Sequence, residues 1–161
     1  MSDLVGVDIE GVDAVKKMLE QIDNPQVARA VTKDVATYVQ GQMRKYPPYT
    51  YVSRTRAYGK PFQTKRQRNW FFWALRTGQL RLPYPRTNRL RRGWKVLAFG
   101  ATDHIVTNDV SYAKFVQNSP QARMMTLMQW RSVQRVIRED AEAIRRQAQE
   151  ALNRALKKIR G

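Results

Sequence analysis

The sequence predicts an α+β fold: helices at both ends packed around a small antiparallel sheet. Three observations carry that expectation. Val27, Ala30, Val31, Asp34, Val35, Tyr38, Val39 and Met43 recur at spacings of three and four, as do Val133, Val136, Ile137, Asp140, Ile144, Ala148, Ala151, Leu152, Ala155 and Ile159. Between them, Trp94 to Phe99 alternates as a strand does, and His104 to Asn108 follows across the polar, glycine-bearing turn Gly100–Asp103. With 161 residues the chain is long enough for one domain with an apolar core, and 1–161 is taken as a single domain.

Taken in order, Gly11 to Ile22 places Val15, Met18, Leu19 and Ile22 at helical spacing, with Asp8 or Asp13 available as a cap. Asp23-Asn24-Pro25 breaks and restarts the chain, since asparagine caps a helix and proline suits its first turn. A helix is expected from Pro25 to about Lys45, ended by Pro47-Pro48. Tyr46 to Phe62 reads as loop, broken by its prolines and by Tyr58-Gly59-Lys60-Pro61. Thr64 caps an expected helix from Lys65 to Arg76, which Thr77-Gly78 closes. Trp70, Phe71, Trp73 and Ala74 are expected partly inward there, because so many large rings in water require a docking surface on the core or on a neighbour.

Thr87 to Gly93 reads as a turn or one helical turn before the hairpin. Val110 to Gln117 then places Tyr112, Phe115 and Val116 on one helical side, and Asn118-Ser119-Pro120 turns the chain. The last element, expected at about 132–159, is rich in arginine, glutamate and glutamine between its apolar positions, all good helix formers. Such a helix is roughly 40 Å long, more than one small core normally covers. Its narrow, alanine-rich face suits close packing on the N-terminal helix of the same chain, on another subunit, or on both.

Charge is the most unusual property. The net charge is +17, and self-repulsion on that scale favours acidic partners such as nucleic acid or an acidic protein surface. Residues 1–45 are close to neutral, whereas Tyr46 to Lys95 holds thirteen basic residues and no acidic one. Tyr49, Tyr51, Tyr58, Phe62, Trp70 and Tyr84 are interleaved with that charge, and arginine outnumbers lysine there, which suits bidentate contact with phosphate or carboxylate. Three uses remain open from composition: packing on acidic protein, sequence-independent nucleic-acid contact, or a solvated basic face. No helix-turn-helix, zinc-finger or RNA-binding strand motif is present.

Nothing in the sequence points to catalysis, a cofactor or a metal. There is no cysteine, and His104 is the only histidine, without further ligands or a serine partner at useful spacing; an ordinary strand or turn histidine is expected. Glu139 and Glu142 lie among Arg135, Arg138, Arg145 and Arg146, so surface ion pairing is expected of them rather than acid–base work. The glycines are scattered and form no phosphate-cradling loop. Residues 1–10 lack the basic-then-apolar pattern of a secretory signal, and Trp70 to Leu75 is far short of the roughly 20 apolar residues of a membrane span. A protein made in a reducing cytosol, with no membrane partner, is expected.

Short signatures in order resemble a known family. Tyr46-Pro47-Pro48 follows a long amphipathic helix, Arg86-Thr87-Asn88-Arg89-Leu90-Arg91-Arg92-Gly93-Trp94 leads into a strand, and Asn108 to Gln117 closes the series. Together with Gly11 to Val15 they resemble the head–tail joining and tail-completion proteins of long-tailed, double-stranded-DNA phages, over roughly residues 11–117. Arg86, Thr87, Arg89, Leu90 and Trp94 match the family's Arg-Thr-Gly-x-Leu-x-x-x-Trp pattern, and Tyr112, Ala113, Phe115, Val116 and Gln117 match a second one. Asn88 replaces the usual glycine, and asparagine tolerates the positive φ that a glycine there implies. A basic, aromatic-rich stretch at about 49–83 reads as an insertion.

The resemblance implies a non-enzymatic virion protein that forms a ring, six-fold favoured, at the phage neck or the top of the tail. It would be made in the host cytoplasm and meet portal, connector or tail-tube proteins, with non-specific duplex DNA contact open. Arg66, Arg68, Arg86, Arg89, Arg91 and Arg92 are the candidate contacts with protein or DNA, and Trp70 and Trp73 the candidate interface aromatics. On a helical turn Arg89 and Arg92 share one side while Arg91 points elsewhere. The alternative function is a sequence-independent nucleic-acid-binding accessory protein.

Overall fold

A computed structural model describes residues 24–80 and 87–160. The helix expected over 11–22, together with Arg81, Tyr84 and Arg86, lies outside the described residues. The fold is α+β: α1 (Pro25–Met43), α2 (Arg54–Tyr58), α3 (Lys65–Arg76), α4 (Arg89–Gly93), β1 (Trp94–Phe99), β2 (Asp103–Asn108), α5 (Ala113–Gln117), α6 (Arg123–Leu127), α7 (Val133–Glu139) and the long α8 (Ala141–Arg160).

Helix α1 starts where the sequence says it should. The Asn24 side chain accepts from the Gln26 and Val27 amides, with Pro25 in the first turn. It is the hub of the molecule, packing against the hairpin, α7 and α8. Val27, Val31, Val39 and Met43 meet Trp94 from β1, Val136 and Ile137 from α7, and Ile144, Ala148 and Ala151 from α8. Each large aliphatic side chain buried there contributes about 1.5–3 kcal/mol, and the alanines let the two long helices approach closely. Asp34, which interrupts the apolar stripe, forms an ion pair with Arg154 of α8 at 2.8 Å.

The two strands pair antiparallel from Trp94↔Asn108 to Phe99↔Asp103, and Gly100 turns between them at φ 69°. Alternation puts Trp94, Val96 and Ala98 with Asn108, Val106 and His104 on one face, and Leu97, Phe99 and Ile105 on the other. A smaller cluster joins Leu90 of α4 to Val110, Ala113, Val116 and Trp130, with Tyr46, Met125 and Met128 at its edge. The Tyr46 and Trp130 rings meet edge to face, 5.0 Å between centroids.

Several expectations are corrected. The C-terminal helix is not continuous over 132–159: it breaks at Asp140, whose carboxylate takes an Arg131 guanidinium N–H at 2.6 Å, and restarts as α8. Its apolar stripe otherwise holds and packs on α1 of the same chain; the Ile159 side chain lies outside what is described. The stretch 46–62 is not all loop, since Ser53 caps the short α2 and Gly59, at φ 74°, ends it. In α5 the inward set is Ala113, Val116 and Gln117, while Tyr112 and Phe115 face outward, 39% and 57% exposed. Position 88 needs no positive φ, because Asn88 sits at −68°.

Helix α3 has the expected bounds, with Thr64 accepting from the Gln67 amide and Gly78 at φ 73° beyond its end. Its burial meets the expectation only in part. Ala74 is buried and Phe71 half-buried, whereas Trp70 and Trp73 are 56% and 42% exposed. The reason is that α3 packs on no other helix or strand of the described residues to a substantial extent, so only its Ala74 side is covered.

Candidate functional site

The dispersed signature residues meet at one junction. Gln117 is buried; its Nε2 donates to the Met43 carbonyl at the end of α1, and its Oε1 accepts from the Trp94 indole, both at 3.0 Å. The Trp94 carbonyl accepts in turn from Gln40 Nε2 at 2.8 Å and from Arg44 Nη2 at 3.0 Å. One tryptophan and one glutamine thus lock the exit of α1, the first residue of β1 and the last turn of α5. Polar groups buried this way are costly unless matched, so the network specifies one arrangement of these elements.

A second set of bonds fixes the turn ahead of the strand. The Tyr46 hydroxyl donates to the Thr87 carbonyl at 3.1 Å and accepts from the Arg91 amide at 3.3 Å. Asn108 Nδ2 donates to the Leu90 carbonyl, and Asn108 Oδ1 accepts from the Val110 amide, both at 2.9 Å. Gly93 is packed so tightly under Asn108 that a Cβ there would lie 2.5 Å from Asn108 Oδ1 and 2.8 Å from Val110 Cγ2. Tyr46, Thr87, Leu90, Trp94 and Gln117 therefore belong to one construction, with Pro47 just past the end of α1. Tyr112 and Phe115 stand outside it.

Beside this junction, Thr87, Asn88, Arg89, Arg92, Gly93, Asp109 and Val110 line an open groove. Arg89 and Arg92 share it and Arg91 does not, as helical spacing predicts. The only carboxylate in the groove lining, Asp109, is engaged by Lys95 at 2.7 Å, and that hydrogen bond holds its pKa below the usual carboxylate range. Neither groove arginine has an ion-pair partner among the described residues, so the groove offers two exposed guanidiniums to an anionic partner. Arg66 and Arg68 on α3 are exposed and likewise lack an ion pair among the described residues. The described candidate contacts thus fall on two surfaces, the groove and α3, with Arg91 on neither.

The acidic residues are used differently. Glu139 takes Arg135 at 2.6 Å and Arg131 at 3.2 Å, which lowers its pKa, the Arg135 bond first. Glu142 pairs with Arg145 at 3.6 Å. His104 lies in β2 with Nδ1 3.0 Å from the Thr32 hydroxyl, which also donates to the Thr102 carbonyl. Burial, then the charges of Arg29 and Lys33, push the His104 pKa below its ordinary value. Among the described residues no group of three histidine or acidic side chains converges on a metal position, and no helix is long and apolar enough to cross a membrane.

Sequence reasoning missed Gln40 and Arg44 as members of the junction, because polar residues near a helix end signal nothing until their partners are in space. Gly93 was readable only as part of a turn; its close approach to Asn108 gives the reason for glycine. Compared with known proteins, the chain matches no family model, no curated sequence and no solved structure.

Proposed function

We propose that this chain is a structural protein of the phage neck or top of the tail, assembling as a ring, six-fold favoured, that joins or completes the head–tail connection. The observation that carries the reading is the junction. Signatures spread from Tyr46 to Gln117, which resemble those of head–tail joining proteins, are bonded to one another around Trp94 and Gln117. Tyr46, Thr87, Leu90, Trp94 and Gln117 of those signatures build one common framework, while Tyr112 and Phe115 lie outside it. The charge agrees with the same reading, since a ring around a DNA channel or on an acidic portal needs a basic surface that reads no bases. The exposed Arg89 and Arg92 groove, set on the rigid framework, is the contact surface this reading favours.

The test is direct. Native mass spectrometry of the purified protein, alone and with portal, connector and tail-tube proteins, is expected to give a closed ring that docks on one of them. Labelled antibody is expected to mark the neck or proximal tail of the particle. A protein that stays monomeric alone and with those neighbours, yet binds DNA tightly with steep salt dependence, is instead a nucleic-acid-binding accessory protein.

A further inference from the structure

Helix α3 presents a surface that neither the core nor the junction uses. Trp70, Phe72 and Trp73 are 56%, 53% and 42% exposed. Half of three large rings amounts to roughly 300 Å² of aromatic surface, the scale at which an exposed patch marks a contact site. The surface is also braced locally. Thr64 caps the helix, Gly78 ends it, and Phe62, Phe71 and Phe72 pack against one another with centroids 5.2–5.8 Å apart. Arg66, Arg68 and Arg76 stand among these rings with no acidic neighbour in the helix. Tryptophan and arginine together are the residues that dominate the energetics of protein–protein contacts.

We propose that this face of α3 docks on an apolar, carboxylate-bearing surface of a different protein of the head–tail joint, and not on a second copy of this chain; the proposal rests on the neck reading. The argument against a second copy is electrostatic. Asp34, Asp109, Glu139, Asp140, Glu142 and Glu150 are each already matched to an arginine or lysine of their own chain, leaving Asp103 alone among the described carboxylates. A neighbouring copy thus has almost no free acidic group, among the described residues, with which to meet Arg66, Arg68 and Arg76. A two-fold contact would be worse, since it sets the same cationic face against itself. The carboxylates must come from another molecule, or from residues 1–23, whose acids lie outside the described set.

Phe62, Phe71 and Phe72 meet each other at 56–85° and cover one another in part, but that cluster of three does not include Trp70 and Trp73. Base stacking on those two indoles is the competing outcome, which binding of oligothymidylate tests. A carboxylate-rimmed apolar surface takes such a cluster as it stands and satisfies the arginines by bidentate bonds.

The experiment uses the full chain, Trp70→Ala/Trp73→Ala, and the charge variant Arg66→Glu/Arg68→Glu, which leaves every ring in place. Melting, self-assembly by native mass spectrometry, and joining of DNA-free heads to tails lacking their own copy are measured for each. Both variants are expected to fold and self-assemble as the parent does, while joining falls at least tenfold. Unchanged joining by both overturns the proposal. Loss of self-assembly overturns it in favour of a second copy or its segment 1–23. Binding of fluorescently labelled oligothymidylate of about 30 nucleotides, followed by anisotropy and lost in the double alanine variant, overturns it in favour of nucleic acid. Failure of the parent chain itself to assemble or join refutes the neck reading beneath both.

Discussion

The Trp94 indole Nε1 donates to Gln117 Oε1 at 3.0 Å, and both residues are sealed from water, 5% and 2% exposed. Because Gln117 also holds the Met43 carbonyl, one side chain settles the hydrogen bonding of two others that would otherwise be stranded.

Replacing Gln117 by leucine keeps the volume and removes both bonds. The Trp94 N–H and the Met43 carbonyl are then buried and unmatched, and the expected loss is roughly 2–4 kcal/mol in a urea titration. Trp94→Phe adds a second arm to a double-mutant cycle: the two losses are expected to be less than additive by at least ~0.5 kcal/mol. Strict additivity is the outcome that denies the pair its coupling.

Gly93→Ala is expected to destabilise by about 1–3 kcal/mol although the residue ends a helix, where alanine ordinarily helps. The cause is the added methyl, which cannot sit 2.5 Å from Asn108 Oδ1 without moving the hairpin. Asn108→Ala removes that contact but also the bonds to the Leu90 carbonyl and the Val110 amide, so in a double-mutant cycle the two losses are expected to be less than additive in thermal melting. Full additivity places the strain at Asp109 or Val110 instead.

The pH dependence follows from His104. Its pKa is lowered in the folded chain, so protonation is harder folded than unfolded; stability is complete above about 6.5 and falls as pH drops toward the folded value. Asp103 opposes this shift, while Arg29 and Lys33 reinforce it. Asp109 and Glu139 are also lowered, but their contribution is lost only further down, as pH falls through the carboxylate range, and it is small because both groups are exposed and screened. Denaturation midpoints at pH 7.5 and 5.5 are expected to differ in the parent chain and to converge in His104→Asn. An equal drop in both chains assigns the effect to another group.

Under the proposed neck role, Arg89→Glu with Arg92→Glu tests what the groove meets. If it seats acidic protein, joining of DNA-free heads and tails is expected to fail, since losing one desolvated charge pair already costs about 2–5 kcal/mol. If the groove faces a DNA channel, empty particles join normally and the defect appears in DNA retention. Arg91→Glu, outside the groove lining, is the control and is expected to join as the parent does.

Elements marked by their own ends were legible in sequence. Asn24-Pro25, Thr64, Gly78 and Gly100 each impose a backbone state on a neighbour, so α1, α3 and the hairpin fall where expected. The helical facing of Arg89 and Arg92 was legible for the same local reason. Faces were less so. Around α5 two sets of residues fit helical spacing, Val110, Ala113 and Val116 or Tyr112, Phe115 and Val116, and ring size favours the wrong one. The smaller set fits under Leu90 and Trp130, which no local pattern reveals. Asp140 was readable as part of a stripe, but its bond to Arg131, nine positions back, is what makes it a break. The Trp94–Gln117 junction was visible only as scattered signatures, since its three elements are far apart in the chain.

The pairing of α1 with α8, tied by Asp34 and Arg154 across 120 positions, has a consequence in time. During synthesis at ~5–20 residues per second, the apolar stripe of α1 emerges roughly 6–24 s before the helix that covers it. The hairpin arrives earlier and shields part of that stripe, but Val136, Ile137, Ile144, Ala148 and Ala151 come last. Val27 and Val31 must therefore be kept from other nascent chains by a chaperone or by transient local collapse. Slowing translation between Asn108 and Ala141 should lower the soluble yield even though no residue of the finished protein is changed.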